Sequence, residues 1–254
     1  MSFKPVKIYT FADKSPQFIE WQNYSFHKFI KDDFEFIVVN NASSEALYIN
    51  IEYQCEHLNI KSIDAGKKDF SHACFSCAVP LQWCIDEIIS KDSNCISVIV
   101  DSDLILFKDF SFNEFIQGYD LAGIAQSRDG GYKIIEYIWN CFMIFDNDTM
   151  PNIRNFDVGP GMIWKAPLDV GGFTYYYLQN NPSCRWRKIT NTSIIVNEFI
   201  SLFPEHAQPF YTLDLGMEIF EDCWLHYRGG SNWDNKSQEY HNKKQDFIKK
   251  LLQL

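Results

Sequence analysis

Cys95-Ile96-Ser97-Val98-Ile99-Val100-Asp101-Ser102-Asp103-Leu104-Ile105-Leu106-Phe107 is the stretch that decides the fold. Cys95 to Val100 is an almost unbroken apolar run, the pattern of a strand buried on both faces of a parallel sheet. Such a strand delivers Asp101 and Asp103 to its carboxyl end, where open α/β sheets bind ligands. Paired carboxylates repel each other when buried alone, and a divalent hard cation with oxygen ligands removes that conflict. The same residues also read as a polar turn, with Asp-Ser-Asp capping the next element.

Outward from this strand, strand and helix patterns alternate. Val6–Phe11, Phe34–Val39 and Ile60–Ile63 read as strands. Ser15-Pro16 predicts a helix start with Ser15 as cap, followed by an apolar face of Phe18, Trp21, Phe26 and Phe29. A second helix runs from Ser44 to Leu58. A third runs from Ser71 to Ile89, where Pro80 must kink or split it. Four strand–helix alternations predict a doubly wound α/β sheet. Beyond Asp103 the pattern loosens. Leu121–Ala125 and Trp139–Phe145 read as strands around a polar stretch, Gln126–Tyr132, that holds Gly130-Gly131. Asn147–Gly161 reads as loop, Phe173–Leu178 as a helix, Ile219–Tyr227 as a last strand and 234–254 as a surface helix. The expectation is one domain over 1–254: a nucleotide-binding half to about 110, an elaborated half over 111–233, and the C-terminal helix.

Composition narrows the function classes. The 254 residues carry a formal charge of −10, which argues against bulk binding to nucleic acid or to an anionic membrane. Apolar residues reach 46%, enough for a sizeable core, and aromatics reach 17%, enough to line a site for a sugar or a base. No run is long enough to cross a bilayer, and MSFKPVKIYTFADK lacks the apolar region of a signal peptide, so the sequence predicts a cytoplasmic protein. The eight cysteines are scattered through apolar segments, as reduced thiols are. Cys74-Phe-Ser-Cys77, with His72 beside it, reads either as buried thiols or as half of a metal or redox site.

In this setting VIVDSDLILFKDF resembles the D-x-D motif of the GT-A class of nucleotide-sugar glycosyltransferases. Leu225-His226-Tyr227-Arg228-Gly229-Gly230-Ser231-Asn232-Trp233 is similar to the H-x-x-G element of glycogenin-like transferases, matched at His226 and Gly229. The Lys and Pro that follow in that family are missing, with Asn232 and Trp233 near their places.

The resemblance implies a GT-A-like fold, with a Rossmann-type first half, a mixed sheet and an acceptor-binding second half. It implies Mn²⁺ or Mg²⁺ held by Asp101, Asp103 and His226, although a lone His near a strand end also reads as structural. Asp101 and Ser102 would contact the donor. Gly229 and Gly230 would let backbone approach the diphosphate, and Arg228 would replace the missing Lys. Thr10, Phe11, Ala12 and Asp13 would cradle base and ribose; Asp13 equally reads as a turn residue capping the next helix. His72, with Ser76 near it, would face sugar or phosphate, and Asn140 would fix a sugar hydroxyl. Asp169, before Val170-Gly171-Gly172, would be the general base toward a saccharide or glycoconjugate acceptor, or else the cap of the next helix. Asp157 and Glu221-Asp222 are lesser candidates. The donor implied is a nucleoside-diphosphate sugar, uridine favoured. Two alternatives use the same acids: a haloacid-dehalogenase-type phosphohydrolase, for which Ile105 stands where Thr or Val is usual, and a sugar-nucleotide-binding protein without transfer activity.

Overall fold

The computed structural model describes residues 3–66, 68, 72–193, 217–228 and 237–254. The apolar runs of the first half become parallel strands: β1 (Val6–Ala12), β2 (Phe34–Asn40), β3 (Lys61–Asp64) and β4 (Ile96–Val100). Parallel strands need crossovers, supplied by α1 (Gln17–Phe29), α2 (Glu45–His57) and α3 (Ala73–Glu87). After β4 come β5 (Leu104–Leu106), α4 (Phe112–Ile116), β6 (Leu121–Asp129) and β7 (Ile134–Asp146). Next are β8 (Gly161–Ile163), β9 (Ala166–Leu168), α5 (Thr174–Asn180), β10 (Trp186–Ile189) and β11 (Asn191–Ser193). β12 (Glu218–Phe220), β13 (Trp224–His226) and α6 (Gln238–Leu252) complete the described elements.

The main sheet has seven strands in the order β10-β6-β7-β4-β1-β2-β3, and β7 alone runs against the rest. This is the mixed α/β sheet expected from the sequence. Alternation along β4 splits the core into two layers. Val98 and Val100 pack with Ile19 and Phe26 of α1 and Ile51 of α2 on one face. Ile99 packs with Leu81 and Ile85 of α3 and Tyr177 of α5 on the other. Trp224 sits wholly buried against Phe26, Phe110, Phe112 and Phe142, at ring separations of 4.7–5.8 Å. Removing such a ring costs about 3–5 kcal/mol.

A second, antiparallel sheet has the order β11-β12-β13-β5. Because β5 begins at Leu104, the Asp101-Ser102-Asp103 turn carries the chain from one sheet into the other. α6 covers the second sheet through Phe247, Ile248 and Leu251, which meet Ile105, Ile219 and Leu225.

The structure corrects several local expectations. Pro16, not Ser15, occupies the cap of α1, with no side-chain cap bond. α3 starts at Ala73 and runs through Pro80 as one helix. The stretch Gln126–Tyr132 is not a polar connection: β6 extends to Asp129 and β7 starts at Ile134, making one long hairpin. Polar residues suit its outer end because that end is exposed. Ile219–Tyr227 is not one strand but two, folded at Glu221 and Asp222, whose φ angles of 50° and 56° turn the chain back. The short β8–β9 hairpin and the edge strand β10 carry too few alternating residues to announce themselves. No helix among the described residues is long and apolar enough to cross a membrane.

Candidate active site

β4 ends at Val100, and the Asp101 amide continues its ladder by donating to the Cys141 carbonyl at 2.8 Å. The turn after it is fixed from beneath. Gln22, buried in α1, donates from Nε2 to the carbonyls of Asp101 at 2.9 Å and Leu104 at 3.0 Å. The Ser102 amide donates to Asp101 Oδ1 at 2.9 Å, which orients that carboxylate. Asp103 is buried, and its carbonyl accepts the Tyr227 amide at 2.9 Å.

β13 pairs antiparallel with β5, placing His226 opposite Leu104 and its ring beside Asp103. His226 Nε2 lies 3.2 Å from Asp103 Oδ1. Its Nδ1 lies 3.0 Å from Glu218 Oε2 across the β12–β13 hairpin. The ring is further held by Phe220, stacked at 6.0 Å, and by the edge of Trp139 at 5.5 Å. A carboxylate on the far nitrogen of a His is the arrangement that fixes its tautomer and raises its basicity as a metal ligand. Glu218 is a residue the sequence reading missed. Reading Glu218 to His226 as two strands around Glu221-Asp222 would have set it opposite His226.

Ligand atoms of Asp101, Cys141 and His226 all lie within 4.8 Å of one another. Cys141 is a second residue missed, although strand alternation along β7 puts it on the face opposite Asn140. Burial, with the Asp103 carboxylate beside it, pushes the Asp101 carboxyl up to about 7. Burial opposes charge on His226, yet the Cys141 thiol and the Asp103 carboxylate outweigh it and raise its pKa well above 6.5. Burial pushes the Cys141 thiol up to about 12, so this sulfur is protonated at neutral pH. The cluster is therefore short of positive charge. Two carboxylates and an imidazole are a donor set that fits Mn²⁺ or Mg²⁺.

α3 presents its first turn to the same region. Asn140 Nδ2 lies 3.3 Å from Cys77 Sγ, and Cys77 feels the charges of both Asp101 and Asp169. Cys74 Sγ lies 3.8 Å from Asp169 Oδ1. Asp169 is exposed after β9 and accepts the Val170 amide at 2.8 Å. It does not cap α5, whose cap is Phe173. His72 does cap α3: its Nδ1 accepts the Cys74 amide at 3.2 Å.

On β1, Thr10 and Ala12 are buried, whereas Phe11 and Asp13 are half-buried. Asp13 Oδ1 accepts the Ser43 amide at 3.0 Å, which ties the end of β1 to the start of α2. Arg228 is exposed, at φ 51°, with Nη1 3.6 Å from Glu218 Oε1. Its carbonyl, with that of Tyr227, accepts from Lys244, a buried lysine of α6. Gly229 and Gly230 lie outside the described residues. Asp157 accepts the Gly159 amide at 2.7 Å, and Glu221 accepts the Thr190 amide at 2.5 Å; both serve turns. All eight cysteines are free of disulfides.

No family model matches the chain, and no curated protein matches it. Solved structures overlap it in part. The apo structure of the bifunctional glycosyltransferase WbbM overlaps 60% of this chain and 34% of its own, at 14% identity and a TM-score of 0.40. The galactosyltransferase LgtC, in complex with donor and acceptor sugar analogues, overlaps 59% and 62%, at 13% and 0.38. Glucosyl-3-phosphoglycerate synthase from Mycobacterium tuberculosis, in complex with Mn²⁺, uridine diphosphate and glucosyl-3-phosphoglycerate, overlaps 47% and 43%, at 16% and 0.33. The chain thus spans about a third to three fifths of the length of these structures.

Proposed function

We propose that the chain is a metal-dependent glycosyltransferase that moves a sugar from a nucleoside-diphosphate sugar to a hydroxyl of a saccharide or glycoconjugate. One observation carries this reading. Two carboxylates at the carboxyl end of a central strand converge with an imidazole delivered from a second sheet, and Glu218 holds that imidazole in place. Asp101, Asp103 and His226 would hold Mn²⁺ or Mg²⁺, which when bound offsets the charge of a departing diphosphate. Asp101 and Ser102 face the donor from the turn. Arg228, exposed beside Glu218, and Gly229-Gly230 after it meet the phosphates. Phe11 and Asp13, with the main chain of Thr10 and Ala12, line the nucleotide side. Asn140 orients the sugar, with His72 at the helix end above it. Asp169 carries an exposed carboxylate and takes the acceptor proton. The chain acts as one domain, and its unpaired thiols suit a reducing compartment such as the cytoplasm.

The test is calorimetry of uridine and guanosine diphosphates with Mn²⁺ and with chelator, beside hydrolysis of a radiolabelled donor. Diphosphate should bind only with the metal, and Asp103→Ala should remove that binding. Equal binding with chelator and with Mn²⁺ would overturn the assignment.

A further inference from the structure

The long hairpin β6–β7 and the short hairpin β8–β9 meet at their outer ends. A Cβ placed on Gly130 would stand 2.8 Å from the Trp164 ring, and Lys133 Nζ lies 4.9 Å from the centre of that ring. This shared end gathers large apolar side chains that face outward. Tyr132 is 86% exposed, Ile134 62%, Met162 67% and Trp164 47%. Aliphatic Ile and Met at such exposure suit neither a core nor the polar surface of a saccharide. Trp164 also sits at φ 53°, a left-handed conformation that costs a non-glycine residue about 1–2 kcal/mol. A large ring is thus held in strain at a turn tip, where Asn or Gly would fold more easily.

Two lysines stand in the same patch. Lys133 lies over the Trp164 and Tyr175 rings, and Lys165 is exposed beside Gly131. Among the described residues neither has a carboxylate within ion-pair distance. The nearest acid along the chain, Asp129, accepts the Gly131 amide. In a chain of net charge −10, an apolar patch set with cations is the one place that reverses the overall sign. Aromatic and aliphatic side chains with lysines between them are the composition that settles at a lipid headgroup layer. Ile134 opens β7, whose later residues Asn140 and Cys141 reach the candidate active site, so the patch stands about 20 Å from it along the strand.

We propose that this ledge rests on an anionic lipid surface and so holds the acceptor side of the protein against a membrane. The occupant is the bilayer itself, chosen because the patch combines aliphatic groups with cations that have no acidic partner.

Vesicle co-sedimentation tests this with the full chain. Phosphatidylcholine vesicles with and without phosphatidylglycerol are the probes, at low and high salt. The protein should bind the anionic vesicles, and bind them less at high salt. Lys133→Gln with Lys165→Gln should weaken binding about fivefold per residue, the equivalent of roughly 1 kcal/mol per cation at such a surface. Ile134→Ser with Met162→Ser changes only exposed side chains and should also weaken it, with thermal melting unchanged. Equal binding to neutral and anionic vesicles, no binding, or binding unchanged in both variants overturns the proposal. So does a dimer in solution that the variants dissociate, which would make the occupant a second copy. None of these readouts depends on sugar transfer.

Discussion

Asn41 Nδ2 donates to the Ser76 carbonyl at 2.8 Å, and Ser76 is the residue whose carbonyl the Pro80 nitrogen cannot reach. Proline in a helix interior removes one hydrogen bond and leaves the carbonyl four residues back without its donor. Here a side chain from the end of β2 replaces the missing N–H. That is why α3 continues through Pro80, and it ties the first turn of α3, with Cys77, to the carboxyl end of the sheet.

Asn41→Ala should therefore destabilise the protein by about 1–3 kcal/mol, the cost of leaving a buried carbonyl unpaired. Pro80→Ala restores a backbone donor, so it should recover more stability in the Asn41→Ala background than in the wild type. Denaturant melts of the four proteins in this cycle check it. Strict additivity would show that the two residues are uncoupled.

Glu218→Gln keeps the shape of the carboxylate and removes its charge from His226 Nδ1. Loss of such a partner costs about 10–100-fold in metal affinity. Mn²⁺ titration of the variant should show that loss while its melting temperature stays near that of the wild type. An unchanged affinity would leave Glu218 as a contact of Arg228 only.

Asp169→Asn separates a base from a turn residue. A general base should lose about 10²–10⁴ in transfer rate with diphosphate affinity nearly unchanged. Asn retains an oxygen for the Val170 amide, so stability should hold. Near-normal turnover would transfer the role to another acid.

Asp120 supplies a pH test away from the site. Burial works against its carboxylate, but bonds from the Arg185 amide at 2.8 Å and guanidinium at 2.5 Å hold its pKa below 3.8. A depressed carboxylate stabilises the fold above its unfolded pKa, and that stabilisation is lost as pH falls through the folded value. Asp120→Asn should cost about 1–3 kcal/mol at pH 7, and the gap from wild type should close below about pH 3.8. Thermal melts across pH 3 to 7 check both arms.

The legible parts of this molecule were those with one strong period. β1, β2 and β4 are buried on both faces, so their apolar runs stand out, and the acids after β4 mark its end without ambiguity. His226 was legible as a residue but not as a geometry. Its strand is three residues long and gains its place only by pairing with β5. Glu218 and Cys141 depend on the same pairing and on a β7 longer than its apolar part suggests. The role of Asn41 could not be read at all, because it answers a need that Pro80 creates in another element.

The register shift between Gly123 and Ile124 has a consequence for how such a protein can change over generations. Below the bulge, β7 is locked between β4 and β6, and moving it by one residue would exchange the faces of Asn140 and Cys141. Above it the hairpin has no neighbour that fixes its length on both sides. Insertions or deletions in pairs near Gly130-Gly131 would alter what the tip touches and leave the carboxylate site as it is. The fold thus separates a part that must be inherited intact from a part that is free to diverge.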